Sequence, residues 1–192
     1  MINFDMTNEE YHAHTDVLSA SGTKTIAFDD LATFKYAERK ESAAFDVGTA
    51  THTLVLQPEL ADTIWMGAAD RRGLAWKKTK LEAEEAGALL LTEGDYLLAH
   101  DMAEAVRANK AAAELLSGDL VCEASVFAKH ERTGIEIRCR PDGWRRDIGA
   151  LIDLKTTITS DPTGFAKQCA NFGYHVQDQH YRMTMEAAGF EI

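Results

Sequence analysis

The stretch that decides the fold is RPDGWRRDIGALIDLKTT, residues 140–157. A short polar turn separates its two halves, which is typical of an antiparallel strand pair. Side chains two apart along a strand project to the same face, so Asp153 and Lys155 are predicted to point together while Leu154 packs into the core. Pairing across the turn would bring Asp142 near Asp153. The sequence therefore predicts two carboxylates that converge beside one ammonium group.

This arrangement has the chemistry that phosphodiester hydrolysis needs. Mg²⁺ prefers oxygen ligands and commonly takes one or two carboxylates together with waters and phosphate oxygens. Such an ion lowers the pKa of a bound water and neutralises the charge that develops on the phosphorus oxygens. Lys155 would position the water or stabilise the transition state. On spacing alone, however, a solvated surface hairpin is the more frequent explanation of an isolated Asp-x-Lys motif.

The surrounding sequence predicts an α+β fold with an α/β-type core. Residues 124–142 alternate around the turn ERTG, which is a β-hairpin pattern, and residues 149–157 would add a third strand. The predicted helices begin after a cap at Ser19 or Ser21, lie in residues 43–58 up to Pro58, fill residues 78–117 with a cap at Thr92, and return in residues 165–190. We expect a central mixed β-sheet, made of the hairpin and the third strand, with helices flanking it.

The length predicts a single domain over residues 1–192. Within it we expect a polar N-terminal arm (1–20), a basic loop (66–80) and a catalytic sheet (120–158). The basic loop carries five basic side chains and Trp76, which makes it a candidate for contact with the DNA backbone or for stacking on an unpaired end. A charged loop is, however, usually only solvated.

The composition limits the class of partner. The chain has 20 basic and 31 acidic residues and a formal net charge of −11, which disfavours a broad DNA-binding surface. A nuclease needs only a local basic lining, so DNA remains compatible with this charge. No apolar run approaches the roughly 20 residues of a membrane span, and the N-terminus lacks a secretion pattern, so we expect a cytoplasmic protein without membrane contact. Cys122, Cys139 and Cys169 are odd in number and widely spaced, which argues against a disulfide framework and a zinc site.

The motif resembles that of a known nuclease group. RPDGW followed by IDLKTT resembles the PD-(D/E)XK nuclease superfamily in its RecE (exonuclease VIII) branch, both in spacing and in flanking residues. GTATHTLVLQP resembles the helix of that family that contributes a histidine to the metal site, here His52. Gln177 and Tyr181 match the QxxxY element of RecB-like nucleases, and their i, i+4 spacing puts them on one helical face. The similarity runs from about residue 11 to the end of the chain.

The resemblance implies a restriction-endonuclease-like core and a Mg²⁺-dependent exodeoxyribonuclease, in which Mn²⁺ would also serve. It implies that His52, Asp142 and Asp153 hold the metal together with the carbonyl of Leu154, and that Lys155 acts on the water. It further implies that Gln177 and Tyr181 contact the substrate or the active site, although both would also suit the half-buried edge of a helix.

The same resemblance implies the biological setting. The enzyme would digest double-stranded DNA ends from 5′ to 3′ in phage or prophage recombination, in the cytoplasm of a bacterial host. It would act as a homo-oligomer with a single-strand annealing protein as partner. Some relatives hold an iron–sulfur cluster on four cysteines, and the three ungrouped cysteines of this chain predict none. Relatives usually continue beyond the QxxxY helix, so a chain that ends at Ile192 is expected to be a shortened form.

Further charged residues surround the motif. Arg138 and Arg140 share strand parity with Asp142, so they are predicted to face one way and to serve phosphate approach, with a salt-bridged sheet surface as the alternative. Glu123 and Glu136 lie on the strands near the site, where each would bind a second metal or shape the cleft, or would simply be solvated. Three other functions stay open: an endonuclease with the same site, a catalytically silent module that binds DNA ends, and an acidic DNA mimic.

Overall fold

The structure is a computed structural model that describes residues 1–37 and 43–192. Its helices are α1 (Asn8–Ala13), α2 (Ala20–Phe28), α3 (Leu31–Tyr36), α4 (Ala43–Leu56), α5 (Leu74–Ala86), α6 (Glu93–Ala108), α7 (Lys110–Leu115), α8 (Pro162–Asn171) and α9 (Tyr174–Ala187), with a 3-10 helix at Pro58–Thr63. Its strands are β1 (Ile2–Asn3), β2 (Leu18–Ser19), β3 (Ile64–Met66), β4 (Leu89–Leu91), β5 (Leu120–Cys122), β6 (Ser125–Lys129), β7 (Glu136–Cys139), β8 (Gly143–Arg145) and β9 (Ala150–Ile152). In the part of the chain that is described, no helix is both long and apolar enough to cross a bilayer.

The described residues group into two compact units. The first unit takes its residues from 1–39, 119–153 and 157–192, and the second takes them from 40–118 and 154–156. The predicted arm and most of the predicted catalytic sheet belong to the first unit, and the predicted basic loop belongs to the second. The single domain stays a prediction, because this grouping does not test whether the chain folds cooperatively.

The sheets of the first unit confirm the α+β prediction. A mixed sheet has the strand order β1-β6-β7-β2, and an antiparallel sheet has the order β5-β8-β9. The predicted hairpin is β6 and β7, in which Val126 faces Cys139. The same register continues in β5 and β8, where Cys122 faces Gly143. The two sheets are therefore parts of one long ladder, interrupted near Pro141 because proline has no N–H to donate.

The third predicted strand is shorter than expected. β9 ends at Ile152, so the prediction that Asp153 and Lys155 project from a strand is wrong. The pairing of β8 with β9 ends where Gly143 faces Ile152. Two further steps in that register would reach Pro141, which cannot donate to a ladder. The motif residues therefore follow the strand instead of lying in it.

Residues 1–20 are more than the polar arm that was predicted. β1 pairs antiparallel with β6, and β2 pairs parallel with β7, so this segment supplies both edges of the mixed sheet. Each strand has only two residues, which is too short for an alternating pattern to appear in the sequence. Ser19, one of the two predicted caps, accepts the backbone N–H of Gly22 at the start of α2.

The core of the first unit lies between α9 and the long ladder. Met185 on α9 is fully buried with Val126 and Cys139, and the ring of Trp144 packs at 4.9 Å from that of Phe190. The single helix predicted over residues 165–190 is instead α8 and α9. Gly173 separates them with a φ of 62°, a left-handed conformation that glycine adopts without steric cost.

The second unit is built around the pair α4 and α6. α4 ends at Leu56, before Pro58, and α6 begins after its cap Thr92, as predicted. Ala50 and Ala99 are fully buried, and small side chains of this kind let two helices approach closely. β3 and β4 pair in parallel, and neither strand was predicted, because three apolar residues have no diagnostic period.

The predicted loop over residues 66–80 is wrong from Leu74 onward, where α5 begins. Ion pairs between Lys78 and Glu82 and between Lys80 and Glu84, each four residues apart, support this helix, although its apolar residues lack a clean period. Trp76 anchors the helix, since it is buried and the Arg71 guanidinium lies over its ring at 5.4 Å. The Trp76 ring is therefore not exposed for stacking on an unpaired DNA end, and contact of the basic side chains with the DNA backbone stays a prediction.

Candidate active site

Three carboxylates stand side by side across three neighbouring strand ends. Cys122 faces Gly143, which faces Ile152, and the next residues in this register are Glu123, Asp142 and Asp153. The N–H of Glu123 donates to the carbonyl of Asp142 at 3.2 Å, which shows that the register holds at this step. We call Glu123, Asp142 and Asp153 the carboxylate row. The predicted proximity of Asp142 to Asp153 follows from this pairing.

The backbone around the row is irregular for local reasons. Pro141 interrupts the ladder, and Glu123 takes a φ of 56°, the one positive φ found outside glycine among the described residues. A left-handed glutamate is uncommon, and such residues cluster at functional sites. The interruption allows the Glu123 side chain to be positioned independently of the strand pleat.

Arg140 holds Glu123 in place. Its Nε donates to the carbonyl of Glu123 at 3.0 Å and lies 3.0 Å from the carboxylate oxygen Oε2. Burial and the nearby charges of Asp142 and Asp153 raise the pKa of Glu123 to about 7, although Arg140 acts to lower it. Like charges that crowd a partly buried place disfavour ionisation. The acidic groups of the carboxylate row therefore lie so close together that their mutual repulsion disfavours full ionisation.

The pKa of Glu123 predicts a pH dependence of folding stability. Between about pH 4.5, the ordinary pKa of glutamate, and pH 7, the folded protein retains a proton that the unfolded chain has lost. Stability should therefore fall as the pH rises through this window, with the full loss present above pH 7. In EDTA, the unfolding free energy of Glu123→Gln relative to wild type should increase across the window, by up to about 3 kcal/mol. Urea unfolding at each pH checks this, and a difference that stays constant with pH would contradict it.

Gln177 and Tyr181 on α9 fix the third carboxylate. Gln177 Nε2 donates to Asp153 Oδ1 at 2.7 Å and to the Tyr181 hydroxyl at 3.2 Å. The Tyr181 hydroxyl in turn donates to the carbonyl of Arg140 at 3.2 Å. Burial and the charges of Asp153 and Asp142 raise the pKa of Tyr181 well above its ordinary value, so its hydroxyl stays a donor. The predicted shared face of Gln177 and Tyr181 is confirmed, and their contact with DNA stays a prediction.

Lys24 on α2 sets the orientation of the Gln177 amide. Its ammonium donates to Gln177 Oε1 at 3.1 Å. An ammonium can only donate, so the amide oxygen faces Lys24 and the amide NH₂ faces Asp153. The reversed amide would place two oxygens against each other at Asp153. Lys24 is therefore a positioning residue that acts on the carboxylate row through Gln177.

If the carboxylate row holds a divalent ion, Lys24→Met should lower the affinity of the protein for that ion by about 10-fold, as loss of a supporting contact commonly does. The change keeps side-chain length and removes the donor. Titration of each protein with Mg²⁺, followed by calorimetry, checks this. Lys167→Met on α8 is the matched control, because Lys167 is exposed. Equal effects of the two variants on the Mg²⁺ affinity would rule out the positioning role.

His180 anchors α9 to the rest of the first unit. Its Nε2 lies 3.0 Å from the carbonyl of Arg138, and its Nδ1 lies 3.0 Å from the hydroxyl of Thr23. Burial lowers its pKa, so the ring is neutral at physiological pH. It lies one turn from both Gln177 and Thr184 and holds the helix at a fixed depth, which keeps Gln177 at the distance it needs from Asp153.

A cavity of about 410 Å³ opens beside the row. Glu123, Arg140 and Tyr181 line one part of it, and Tyr11 and Ser19 line another. We call it the first cavity. Its lining combines a carboxylate, a cation and hydroxyl groups, which is a setting for a polar substrate.

The chemistry of the row fits a divalent cation. In the described part of the chain no three His, Cys, Asp or Glu side chains form a group that could hold a metal ion. Mg²⁺ needs fewer, since it keeps several waters and is commonly bound through one or two carboxylates. Asp142 and Asp153 both raise the pKa of Tyr181 and of Glu123, so their charges accumulate in one place. A bound cation would neutralise that charge.

The other predicted metal residues belong to the second unit. His52 is half-buried on α4, one turn after Gly48. A Cβ placed on Gly48 would lie 3.3 Å from Oγ1 of Thr156, so α4 closely approaches the segment that carries Lys155. The roles predicted for His52, Leu154 and Lys155 stay predictions.

The two arginines of the predicted row lie on one side but differ in their contacts. The guanidinium groups of Arg138 and Arg140 lie over the ring of Tyr11 at 4.5 and 5.4 Å, which confirms their shared parity. Arg140 donates to its own chain, with Nη1 to the carbonyl of Thr7 and Nη2 to that of Met6. Its contacts are those of a structural residue. The predicted substrate binding by both arginines stays a prediction.

Two members of the site escaped prediction from the sequence. Glu123 was considered only as one of two acidic residues near the site, and its place in the row depends on a register that continues past Pro141. The constant spacing of the hairpin pattern on both sides of Pro141 is the signal that could have found it. Lys24 lies 153 residues from Gln177, and nothing in the local sequence indicates their contact.

Comparison with known proteins agrees with this geometry. Residues 23–189 match a family described as a PDDEXK-like domain of unknown function (DUF3799). No curated protein matches the chain. The matched residues include the long hairpin, the carboxylate row and the Gln177–Tyr181 helix, and nucleases of the PD-(D/E)XK superfamily generally use divalent metal ions. The chain therefore belongs to this PDDEXK-like family, and with it to the PD-(D/E)XK nuclease superfamily.

Proposed function

We propose that this protein is a Mg²⁺-dependent deoxyribonuclease, in the form of a RecE-like exonuclease that digests double-stranded DNA from its ends. The observation that carries the proposal is the carboxylate row, in which Asp153 is held by Gln177 and stands next in register to Asp142. Two carboxylates of this kind, held in place by a second layer of hydrogen bonds, suit a metal-dependent phosphodiester hydrolase.

Each residue has an assigned part in the proposal. Asp142 and Asp153 hold the ion, with His52 and the Leu154 carbonyl as further ligands. When bound, the ion supplies a water of lowered pKa and positive charge near the scissile phosphate. Lys155 orients that water or stabilises the charge of the transition state. Gln177 keeps the Asp153 carboxylate turned toward the ion, since its NH₂ occupies Oδ1.

The substrate and setting are proposed from the resemblance to the RecE branch. Digestion from 5′ to 3′ would leave a 3′ single strand, which a single-strand annealing protein would receive. A homo-oligomer around the duplex, Mn²⁺ as an alternative ion and the absence of an iron–sulfur cluster belong to the same proposal. So does a place in phage or prophage recombination in the bacterial cytoplasm. Overall charge gives no support to a broad DNA surface, so the proposal relies on local cations such as Arg138, Arg140 and Lys155.

The test is digestion of a linear duplex that is labelled at either the 5′ or the 3′ end, with a covalently closed circle as control. The proposal expects loss of the linear duplex in Mg²⁺ and none in EDTA, with the 5′ label released first and the circle spared. Lys155→Ala should abolish this loss, and Lys167→Ala should not. Cutting of the circle would replace the exonuclease with an endonuclease that uses the same site. If the folded protein cleaves DNA in neither Mg²⁺ nor Mn²⁺, the proposed nuclease activity is wrong, and a module that binds DNA ends is the remaining alternative.

A further inference from the structure

Arg138 carries a buried charge, and two of its three guanidinium nitrogen atoms lack a hydrogen-bond partner among the described residues. Its side chain lies on β7 and is only 5% exposed. Among the described residues, its Nε and Nη1 atoms find no hydrogen-bond partner. Burial also lowers the pKa of this guanidinium, which reflects the cost of keeping the charge away from water. A buried cation with free donors is an unfavourable arrangement unless a ligand completes it.

The described neighbours of Arg138 stabilise the positive charge of its guanidinium but do not accept hydrogen bonds from its Nε and Nη1. The Tyr11 ring lies against the guanidinium at 4.5 Å, and the negative charge of Asp16 acts to raise the pKa of Arg138. A ring below the guanidinium stabilises its positive charge through the face of the group. The N–H bonds lie in the plane of the group, so the ring leaves them without an acceptor. An acceptor is therefore missing in the plane of the guanidinium.

A second cavity supplies room for that acceptor. It has a volume of about 630 Å³ and is lined by Arg138 together with Lys35 on α3. Hydroxyl groups line it as well, and one acid, Asp29, is among its lining residues. The hydroxyl of Ser19 accepts the N–H of Gly22, so its own proton remains available for a ligand. Two cations with hydroxyl donors make a lining suited to a phosphate group.

The second cavity adjoins the first cavity, which opens beside the carboxylate row. Ser19 and Ser21 line both cavities, so the start of α2 forms the wall between them. Arg140, the other arginine on Tyr11, lines the first cavity, whereas Arg138 lines the second cavity. A nucleic acid strand that follows the first cavity past the start of α2 would therefore meet the second cavity.

We propose that the cavity beside Arg138 binds a phosphate group of the nucleic acid strand, at a subsite separate from the carboxylate row. This inference rests on the proposed function for the identity of its ligand. The phosphate is either the terminal monoester of a strand end or an internal diester. Both offer the same oxygens to the guanidinium, and the experiment below separates them.

The first measurement is the thermal stability of the protein with increasing inorganic phosphate in EDTA. Phosphate should stabilise wild type and should stabilise Arg138→Met much less. Arg138→Met should fold, because an apolar chain of similar volume replaces an unpaired buried charge. Lys35→Met gives a second variant at an exposed position, and Lys167→Met, which does not line the cavity, is the control. Only the first two variants should lose the effect of phosphate.

The second measurement is duplex binding in EDTA, where cleavage does not interfere. Arg138→Met should weaken binding by about 10-fold, the scale of a lost charge-assisted hydrogen bond. If the cavity takes a terminal monoester, wild type should prefer phosphorylated to hydroxyl ends and the variant should not. If it takes an internal diester, wild type should bind duplexes with phosphorylated ends and with hydroxyl ends equally well. The variant should bind both duplexes more weakly, and to the same extent.

Unchanged phosphate stabilisation and unchanged duplex affinity in both Arg138→Met and Lys35→Met would overturn the inference. Because both measurements report binding without metal, this failure is distinct from failure of the proposed nuclease. If the protein binds phosphate through Arg138 but never cleaves DNA, the phosphate subsite stands and the proposed nuclease activity is wrong.

Discussion

Asp153→Asn should reduce metal-dependent cleavage by at least about 10²-fold, the scale seen when one electrostatic group is removed from a reaction centre. The amide keeps the shape of the carboxylate and still offers an oxygen to the NH₂ of Gln177. It removes the negative charge that we assign to metal binding. Because Asp153 also raises the pKa of Glu123, the variant should lower that pKa toward its ordinary value. Initial rates on a linear duplex at saturating Mg²⁺ check the first effect.

The matched control is Asp178→Asn on the same α9 that carries Gln177. Asp178 is exposed and pairs with Arg182 at 3.1 Å, four residues along the helix. We expect a rate close to that of wild type for this variant. The thermal stability of Asp153→Asn should be equal to or above that of wild type in EDTA, since one of three crowded like charges is gone. A stable Asp153→Asn protein that cleaves at the wild-type rate would remove Asp153 from the catalytic site.

Arg140→Met should have the largest effect on stability among the site residues, about 3 kcal/mol of unfolding free energy. The guanidinium is almost fully buried and donates to the carbonyls of Met6, Thr7 and Glu123, besides its ion pair with Glu123. Its loss removes this donor from the carbonyls of Met6 and Glu123, while the Thr7 carbonyl keeps the N–H of Tyr11, and it leaves Glu123 without its counter-ion. Met6 and Thr7, which precede α1, would lose this attachment to the long hairpin, whereas β1 would remain paired with β6. Urea unfolding monitored by tryptophan fluorescence gives the value.

The control for this variant is Arg182→Met, which removes an exposed ion pair and should cost less than about 0.5 kcal/mol. A loss of the same small size in Arg140→Met would show that the buried hydrogen bonds do not stabilise the fold as we infer. The unfolding free energies of the two variants are also needed to interpret DNA binding by Arg140→Met. Any loss of affinity in Arg140→Met must exceed what unfolding explains before Arg140 is assigned to the substrate.

The sequence predicted the centre of the site because strong local signals surround it. The turn after Trp144 and the apolar run before Asp153 determine which strands pair, and this pairing places Asp153 next to Asp142. The i, i+4 spacing of Gln177 and Tyr181 likewise determined that they share a face. In each of these cases the interacting residues are close in the chain, or the motif itself sets the register.

What escaped prediction depends on long-range packing. The contact of Lys24 with Gln177 joins segments far apart in the chain, and no periodicity records it. The edge strands β1 and β2 are too short to show alternation. α5 was missed because it buries only Trp76 and Ala83, which are too few and too far apart to form an apolar stripe in the sequence. Glu123 was underestimated because it lies just outside the predicted hairpin, and its pairing depends on a register that resumes beyond Pro141.

The central claim is that Asp142 and Asp153 together hold the divalent ion with which this chain cuts DNA. The most direct measurement is Mn²⁺ binding to the full chain, followed by the electron paramagnetic resonance signal of the free ion. We predict that wild type and Asp178→Asn remove Mn²⁺ from solution equally well, and that the double variant Asp142→Asn/Asp153→Asn does not. Undiminished Mn²⁺ binding by a folded double variant would contradict the claim and would place the metal elsewhere in the chain.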